Sequence, residues 1–342
     1  MNSLQGALPY IGNPDQIISF SVSRFEEGRA RGTRIASIST PAGLDATVVC
    51  DRCMDLYNVR YKGINLNYIT PVGIAAPQYY DASGAGWLRN FFGGFLTSCG
   101  LRNIGSPDSY GGESFGLHGR LSNIPAEQLS YSRDGGGVRL SGVMTEACAF
   151  GEAFTLRREY FFPAESGSEA EFFFEDCVTN VSHTARPFMQ LYHFNIGYPF
   201  LCESSVPVIK SKKIVPRDEY AALHAENYSD ITSPVDEYRE MCYYHTLEKD
   251  ENGVRSFGMK NSALGLSLEI SFDDFSKKPA ASALDVFVQW KMFQKGAYVM
   301  GLEPANATLD GYEENIRNGT LKTLAPGESA KRRFSVKIKE EK

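Results

Sequence analysis

The chain has 342 residues, 42% of them hydrophobic, and a formal net charge of −6, with lysines and arginines scattered rather than clustered. This composition is typical of a folded globular protein, and the dispersed, net acidic charge argues against nucleic acid and anionic membranes as partners. Seven cysteines at irregular spacing do not form a disulfide framework, so we expect most of them to be buried and reduced.

Alternation of apolar and polar residues with a period of two recurs along the chain, whereas helical periodicity is almost absent. These runs are rich in Val, Ile, Phe, Tyr and Thr and end at Gly, Pro, Asn or Asp, as strands do. The predicted strands are, in chain order, Ile17 to Ser23, Thr33 to Ser39, Ala46 to Cys50, Asp55 to Tyr61, Gly137 to Glu146, Ala153 to Phe162, Glu169 to Thr179, Phe188 to Phe194, Gly265 to Phe272, Ala283 to Phe293, Ala297 to Glu303 and Arg332 to Lys339.

Helical structure is predicted at only two places, a turn near Ala126 to Leu129 and a segment around Val235 to Leu247. Strands do not alternate with helices and no repeat of fixed period is present, which argues against Rossmann, TIM-barrel, propeller and solenoid folds. The sequence therefore predicts an all-β fold, a large antiparallel β-sandwich in which residues 1–342 form a single domain. The first residues, MNSLQGALPYIGNPDQ, do not resemble a secretion signal, so we expect a cytoplasmic protein.

One long region, Pro71 to Asn123, breaks the strand pattern and is predicted to be an irregular lid. Its many aromatic residues argue against disorder. Trp87 and the tyrosines offer rings for the apolar faces of a sugar, while arginines and asparagines offer hydrogen bonds for its hydroxyls. The region fits a pocket for a small neutral ligand, and a lid that merely covers one end of a sheet is the alternative.

His193 lies in an alternating run, LYHFN, in which it shares one face with Asn195 while Tyr192 and Phe194 share the other. One face can therefore belong to the core and the other to a pocket. A structural histidine is the alternative, but the amides of Asn180 and Asn195 can fix the imidazole tautomer and hold a hydroxyl-bearing ligand. The pattern makes His193 a candidate acid and the two asparagines candidate ligand contacts.

Glu303 ends an apolar strand in the segment GLEPAN. If it lies in a pocket, burial raises its pKa toward the range useful for a base, whereas a solvated edge carboxylate is the alternative. His118 and Arg120 lie between glycines in GLHGR, where small residues let the backbone approach a ligand closely. With His193, these side chains form the predicted site.

Two further motifs are weaker. GESFG matches a nucleophile elbow with Ser114 as the nucleophile, but Gly- and Pro-rich sequence stands where that motif needs a strand and a helix. Cys50 and Cys53 form a single C-x-x-C without the second pair that a zinc site needs. The five histidines show no H-E-x-x-H or H-x-H spacing, so no metal is expected.

Several segments together resemble the aldose 1-epimerases, also called galactose mutarotases. The three signature segments, in the order of that family, are Leu117-His118-Gly119, the run Asn180 to Asn195, and Gly301-Leu302-Glu303. The sequence is still more similar to an uncharacterised, DUF4432-like branch of that superfamily, through Arg52-Cys-Met-Asp55, Gly93 to Leu101, Gly116 to Arg120 and Leu302 to Asn306. The resemblance covers nearly the whole chain.

This resemblance implies a galactose mutarotase-like sandwich with a carbohydrate site on its larger sheet. It also implies that Glu303 removes the proton of the anomeric hydroxyl while His193 protonates the ring oxygen, so that the ring opens and recloses as the other anomer. His118 is implied to stabilise charge at the ring oxygen. The reaction needs no cofactor, and its partner is a small free sugar; a homodimer stays open.

The chain departs from the family in the groups that grip the sugar. The family has an Asn-Arg pair in the first third, whereas here Arg102-Asn103 is reversed and Arg52 and Arg120 are rivals. The family's mid-chain aspartate has no clear counterpart, with Asp218 and Asp285 as guesses. A hexose, pentose, deoxy sugar or sugar acid stays open, and three arginines favour an acidic one. A non-catalytic sugar-binding or sensing protein is the alternative function, and a lyase or hydrolase is weaker still.

Overall fold

The structure is a computed structural model that describes residues 4–134, 136–165, 167, 169–275 and 283–341. Its strands, numbered in chain order, form two large antiparallel sheets and one hairpin. The 12-stranded sheet consists of β1 (Ser19–Arg24), β2 (Arg34–Ser39), β3 (Leu44–Val49), β4 (Asp55–Tyr61), β5 (Ile64–Asn65), β6 (Leu96–Leu101), β13 (Arg186–Gly197), β15 (Ser211–Pro216), β16 (Met241–Leu247), β19 (Val286–Gln294), β20 (Ala297–Ala305) and β21 (Lys322–Leu324).

The 8-stranded sheet consists of β9 (Glu127–Asp134), β10 (Gly137–Ala147), β11 (Ala153–Pro163), β12 (Glu169–Asn180), β14 (Ser205–Ile209), β17 (Arg255–Asn261), β18 (Leu266–Asp274) and β22 (Ser329–Glu340). The hairpin pairs β7 (Asp108–Tyr110) with β8 (Glu113–Phe115). Helices are short: α1 (Leu4–Ala7), α2 (Glu219–Leu223), α3 (Tyr312–Arg317), and the 3₁₀ turns Leu8–Tyr10, Pro14–Gln16, Gly28–Ala30, Pro77–Tyr79, Gly86–Arg89, Leu121–Asn123 and Ala225–Asn227. The predicted all-β fold, a large antiparallel β-sandwich, is confirmed.

Three local predictions were wrong. The helical segment around Val235 to Leu247 contains strand β16, whose pairing with β15 and β19 overrides the helix-like charge pattern before it. The turn near Ala126 to Leu129 opens strand β9, an edge strand whose mostly exposed residues show no apolar alternation. The region Pro71 to Asn123 is not wholly irregular, because it contains the fully buried strand β6 and the β7–β8 hairpin.

Strand β13 carries core and site on opposite faces, as its alternation predicts. Tyr192 and Phe194 pack into the core between the sheets, where Tyr192 meets Phe334 of β22 with ring centroids 4.6 Å apart. His193, on the opposite face, contacts the ring of Phe91 from the long region. The 12-stranded sheet is therefore covered on both faces, by the second sheet on one and by the 71–123 region on the other.

A second apolar cluster holds the long region on the sheet. Trp87 stacks on Phe91 with ring centroids 4.4 Å apart, and both pack with Met189 and Leu191 of β13. Trp87 also donates a hydrogen bond from its indole Nε1 to Ser122 at 3.0 Å. This packing fixes the lid over the centre of the sheet rather than leaving it in solvent.

A buried polar cluster ties the two sheets together beneath β13. Arg158 of β11 is fully buried and donates to Asp176 of β12 at 2.7 and 2.8 Å. It also reaches the other sheet, donating to Asp55 of β4 at 2.9 Å and to Ser98 of β6 at 2.9 Å. Tyr192 donates its hydroxyl to Asp176 at 2.9 Å. The strand that carries His193 is thus anchored to both sheets.

Candidate active site

Strands β13 and β20 bring His193 and Glu303 together. The two strands are antiparallel neighbours, with Phe194 opposite Leu302, so the residues next to that pair project from the same face. Nε2 of His193 lies 3.3 Å from Oε1 of Glu303, and both side chains are almost fully buried. An imidazole and a carboxylate that are far apart in sequence therefore share one location on the sheet.

Three polar atoms of this pair accept or donate no hydrogen bond within the described residues: Nδ1 of His193 and both carboxylate oxygens of Glu303. Leaving buried polar atoms unpaired costs about 1–3 kcal/mol each. A buried polar atom without a partner calls for an explanation, and a bound ligand or an ordered water molecule is one. The free atoms are therefore available to a ligand.

Gly301 makes room for the carboxylate. It lies two residues before Glu303 on the same face of β20 and opposite Trp290 of β19. A Cβ at this position would stand 2.3 Å from Oε1 of Glu303 and 3.1 Å from the Trp290 side chain. The glycine of the GLEPAN segment is thus required by the packing of the site.

Burial shifts both groups toward their neutral forms. Desolvation raises the pKa of Glu303 well above its ordinary value; Glu240 adds to the rise and Arg217 opposes it. Desolvation also lowers the pKa of His193 well below its ordinary value, and His118 lowers it further. Both shifts favour the state in which Glu303 is a carboxylic acid and His193 is a neutral imidazole, so the one titrating proton of the pair lies on Glu303 in that state.

His118 completes the group. Its ring centroid lies 5.6 Å from that of His193 and 4.6 Å from that of Trp87. The backbone N–H of Gly105 donates to its Nδ1 at 3.3 Å, and burial together with the charge of Arg217 lowers its pKa to about 3. A neutral imidazole with an accepting Nδ1 carries its proton on Nε2, so His118 is a hydrogen-bond donor.

These side chains line one open cleft with a volume of about 200 Å³. Its floor comes from the central strands of the 12-stranded sheet and its apolar wall from the 71–123 region. The lining residues are Trp87, Leu88, Phe91, Gly105, Ser106, Leu117, His118, His193, Arg217, Glu240, Cys242, Trp290, Glu303 and Leu309.

The sequence did not point to three polar members of this lining. Trp290 on β19 approaches His193 edge-on at 5.5 Å and donates its indole N–H to Glu240 at 2.8 Å. Arg217 follows β15, and Glu240 immediately precedes β16. The sequence could have indicated Trp290, because the tight turn between two predicted strands places it opposite Gly301. Arg217 and Glu240 lie in a long connection whose sequence has no pattern that would indicate a ligand site.

Three predicted ligand residues do not line the cleft. Arg52 is buried and donates to the backbone carbonyls of residues 75, 90 and 122 at 2.6 to 2.9 Å. Asn180 donates to the carbonyls of Thr184 and Leu324 at the end of β12. Asn195 donates to the carbonyls of residues 93, 94 and 193, so it braces the strand beside His193. Arg52 and Asn180 thus serve backbone carbonyls, whereas the side chain of Asn195 also opposes the lowering of the pKa of His193.

Arg102 and Arg120 line a different pocket, on the other side of the loop that carries His118. There Arg102 forms an ion pair with Glu113 at 2.8 Å and a longer one with Glu152 at 3.5 Å. Trp87 and His118 are thus the members of the predicted ligand set that the structure brings to His193 and Glu303.

The other weak candidates also lie elsewhere. Asp218 caps α2 by accepting from the backbone N–H of Ala221 at 2.7 Å, and Asp285 forms an ion pair with Lys322. Ser114 is in the β7–β8 hairpin, not at a strand-to-helix turn. All seven cysteines are free. Within the described ranges, no three His, Cys, Asp or Glu side chains are grouped as they would be to hold a metal ion.

Comparison with known proteins places the chain in a family. A family model described as a domain of unknown function, DUF4432, matches residues 30–338. The chain is a DUF4432 protein. No protein with a curated description matches its sequence.

Solved structures show the same fold as this DUF4432 protein. A proposed aldose 1-epimerase from Klebsiella pneumoniae subsp. pneumoniae MGH 78578 is similar with a TM-score of 0.85 and 23% identity, over 95% of this chain and 84% of that one. A galactose mutarotase-like protein from Clostridium acetobutylicum has a TM-score of 0.67 and 12% identity over 95% and 99% of the chains. Galactose 1-epimerase from Lactobacillus acidophilus NCFM is similar with a TM-score of 0.60 and 14% identity, over 95% of this chain and 100% of that one.

At these identities the likeness establishes the fold of the DUF4432 protein and nothing beyond the fold. Among the described residues, none of the helices has the length and apolar character to cross a bilayer.

Proposed function

We propose that this DUF4432 protein is a mutarotase that interconverts the α and β anomers of a free aldose. One observation carries the proposal: an imidazole and a carboxylate lie 3.3 Å apart, with three unpaired polar atoms, on the floor of an open cleft. Anomers interconvert when one group removes the proton of the anomeric hydroxyl while another protonates the ring oxygen, and these two oxygens share a carbon. Adjacent acid and base groups suit that reaction.

In this proposal the proton of the pair first passes from Glu303 to Nε2 of His193 across the 3.3 Å contact. The Glu303 carboxylate then accepts the proton of the anomeric hydroxyl while the His193 imidazolium donates its proton to the ring oxygen. The bond between the anomeric carbon and the ring oxygen breaks, and an open-chain aldehyde forms. Rotation about the adjacent carbon–carbon bond presents the other face, and reversal of both proton transfers closes the second anomer. The pair starts and ends with the same single proton, so the cycle consumes nothing.

The surroundings support these roles. Arg217 opposes the rise in the pKa of Glu303 and so favours the carboxylate that a base needs. His118, neutral and with its proton on Nε2, can donate to an oxygen of the opening ring. The rings of Trp87, Phe91 and Trp290 along the cleft suit the apolar faces of a sugar.

A neutral aldose fits the cleft better than the acidic sugar that the sequence favoured. The three arginines behind that expectation are Arg52, Arg102 and Arg120, and none of them lines the cleft. Its one cation among the described lining residues, Arg217, is accompanied by Glu240 and Glu303. A sugar carboxylate or phosphate would meet these carboxyl groups at close range, which disfavours it.

Polarimetry with a panel of freshly dissolved pure anomers tests the proposal. The purified protein is expected to accelerate the approach of at least one neutral aldose to its equilibrium rotation. Glu303→Gln and His193→Asn are each expected to lower that acceleration by about 10²- to 10⁴-fold, the usual contribution of a general acid or base. Glu226→Gln and His183→Asn, which make the same changes at exposed positions, are the matched controls.

Two outcomes would contradict the proposal. If both site variants keep the parental rate, His193 and Glu303 do not carry the chemistry. If sugars bind but none of the panel is turned over, the protein is a sugar-binding or sensing protein on the same fold.

A further inference from the structure

We infer that Arg217 is the substrate-gripping cation of this cleft, contacting a sugar oxygen through its Nη1 amino group. The inference rests on the proposed function. The family resemblance placed this role on an arginine in the first third of the chain, but the arginines found there lie outside the cleft. Arg217 enters it from the connection after β15, so a different segment supplies the charge.

Arg217 is held from behind. Its Nε donates to Asp310 at 3.0 Å, and its Nη2 donates to Ser106 at 2.9 Å and to the carbonyl of Leu309 at 3.1 Å. Asp310 is held in turn by the hydroxyl of Tyr244 at 2.9 Å. These contacts use Nε and Nη2, so Nη1 is the amino group that they leave to the cleft. The guanidinium also has a hydrogen bond with the thiol of Cys242, another lining residue.

A guanidinium fixed in this way is suited to bind a ligand. The conformational entropy of a long side chain is already lost before the sugar arrives, so less is lost on binding. Its charge also acts inside the cleft, because Arg217 lowers the pKa of Glu303, of His118 and of the Cys242 thiol. The guanidinium therefore has two roles: it contacts the ligand, and it favours the carboxylate form of Glu303.

The chain carries a direct reporter of cleft occupancy. It has two tryptophans, Trp87 and Trp290, and both line the cleft. Intrinsic fluorescence of the protein thus comes from the site itself, and a fluorescence titration measures sugar binding whether or not the sugar is turned over. The probes are the neutral aldoses of the polarimetry panel.

The test compares Arg217→Gln, Arg217→Lys and, as a control at an exposed arginine, Arg157→Gln. Loss of a charge-assisted hydrogen bond is expected to weaken sugar binding by about 10- to 100-fold in Arg217→Gln, with the loss in KM exceeding that in kcat. Arg217→Lys keeps the positive charge but loses the planar guanidinium with its several N–H donors, so it is expected to weaken binding as well. Arg157→Gln is expected to match the parent.

The pH profile separates a ligand contact from a structural role. Glu303 faces Arg217, Glu240, His118 and His193 in the cleft, and removal of the cation raises its pKa further. The alkaline limb of kcat/KM should therefore move to higher pH in Arg217→Gln and stay in place in Arg217→Lys. A variant that had only lost stability would contain a smaller fraction of active protein, but its KM and the alkaline limb of its pH profile would be unchanged.

Each result is decisive. Parental KM, dissociation constant and pH profile in Arg217→Gln would overturn the inference while leaving the mutarotase proposal intact. If the parent binds sugars without turning them over, the mutarotase proposal fails, and the fluorescence titration still decides the role of Arg217. If the parent neither binds nor converts any aldose of the panel, both ideas are wrong.

Discussion

Replacing Gly301 by alanine should impair the site without touching either reacting side chain. The new Cβ would lie 2.3 Å from Oε1 of Glu303, whereas ordinary contact begins at 3.4 Å. Glu303 must therefore retreat by about 1 Å, or the strands must part, because contact distances shorter than the sum of atomic radii are strongly repulsive. Trp290, 3.1 Å from the same Cβ, also limits the space for the new methyl group, and the Glu303 carboxylate can move only by entering the cleft that it lines.

Both consequences have a magnitude. Displacing a reacting group by about 1 Å lowers a rate by about 100-fold. Overpacking a filled interior costs about 1–3 kcal/mol of unfolding free energy. We expect Gly301→Ala to reduce kcat/KM for aldose mutarotation by about 100-fold while the protein stays folded.

Polarimetry measures the rate, and urea denaturation measures the free energy of unfolding. Gly12→Ala is the control, because no atom lies within 4 Å of a Cβ at that position. A Gly301→Ala protein with the parental rate and stability would refute the reasoning, since it would mean that the carboxylate need not stand where the structure places it.

Four other predictions follow from contacts described above. The rate should be constant around neutral pH and fall on both sides, because the raised pKa of Glu303 and the lowered pKa of His193 keep one proton on the pair between them. In urea titrations, the free energy of unfolding of Glu303→Gln should rise relative to that of the parent as pH rises. The reason is that Glu303 has a raised pKa in the folded state: its contribution to stability is full below its ordinary pKa and is lost as pH rises toward the folded-state pKa. Arg158→Met should cost about 3–5 kcal/mol in the same assay, because two buried carboxylates lose their cation. Arg52→Gln should also destabilise the fold, by about 3 kcal/mol or more for three buried carbonyls, yet leave the KM of the folded protein unchanged.

The sequence predicts the fold and the positions of His193 and Glu303 because the alternation of apolar and polar residues marks the strands and the face on which each side chain lies. His193 and Glu303 each stand on a strongly alternating run, so the face of each side chain follows from its position. What brings them together is the pairing of β13 with β20, more than a hundred residues apart, which local pattern alone does not specify. The family resemblance supplied that link.

The ligand residues were harder, because polar side chains look alike in sequence whether they serve a pocket or the backbone. Arg52 and Asn180 turned out to satisfy buried carbonyls, a role with no periodic signature. Arg217 and Glu240 lie in a long connection whose path depends on tertiary contacts. The sequence also did not reveal strand β6, because its Thr-Ser-Cys-Gly segment and the Gly93-Gly94 pair before it resemble a loop.

The cleft draws its parts from two kinds of chain segment. The proton-transferring pair belongs to strands at the centre of the larger sheet, whereas Trp87, Arg217 and Glu240 come from connections outside it. Insertions and substitutions in such connections are tolerated far better than changes in central strands. Under the proposed function, substitutions in these connections would change which sugar binds, while the central strands would keep the reaction the same.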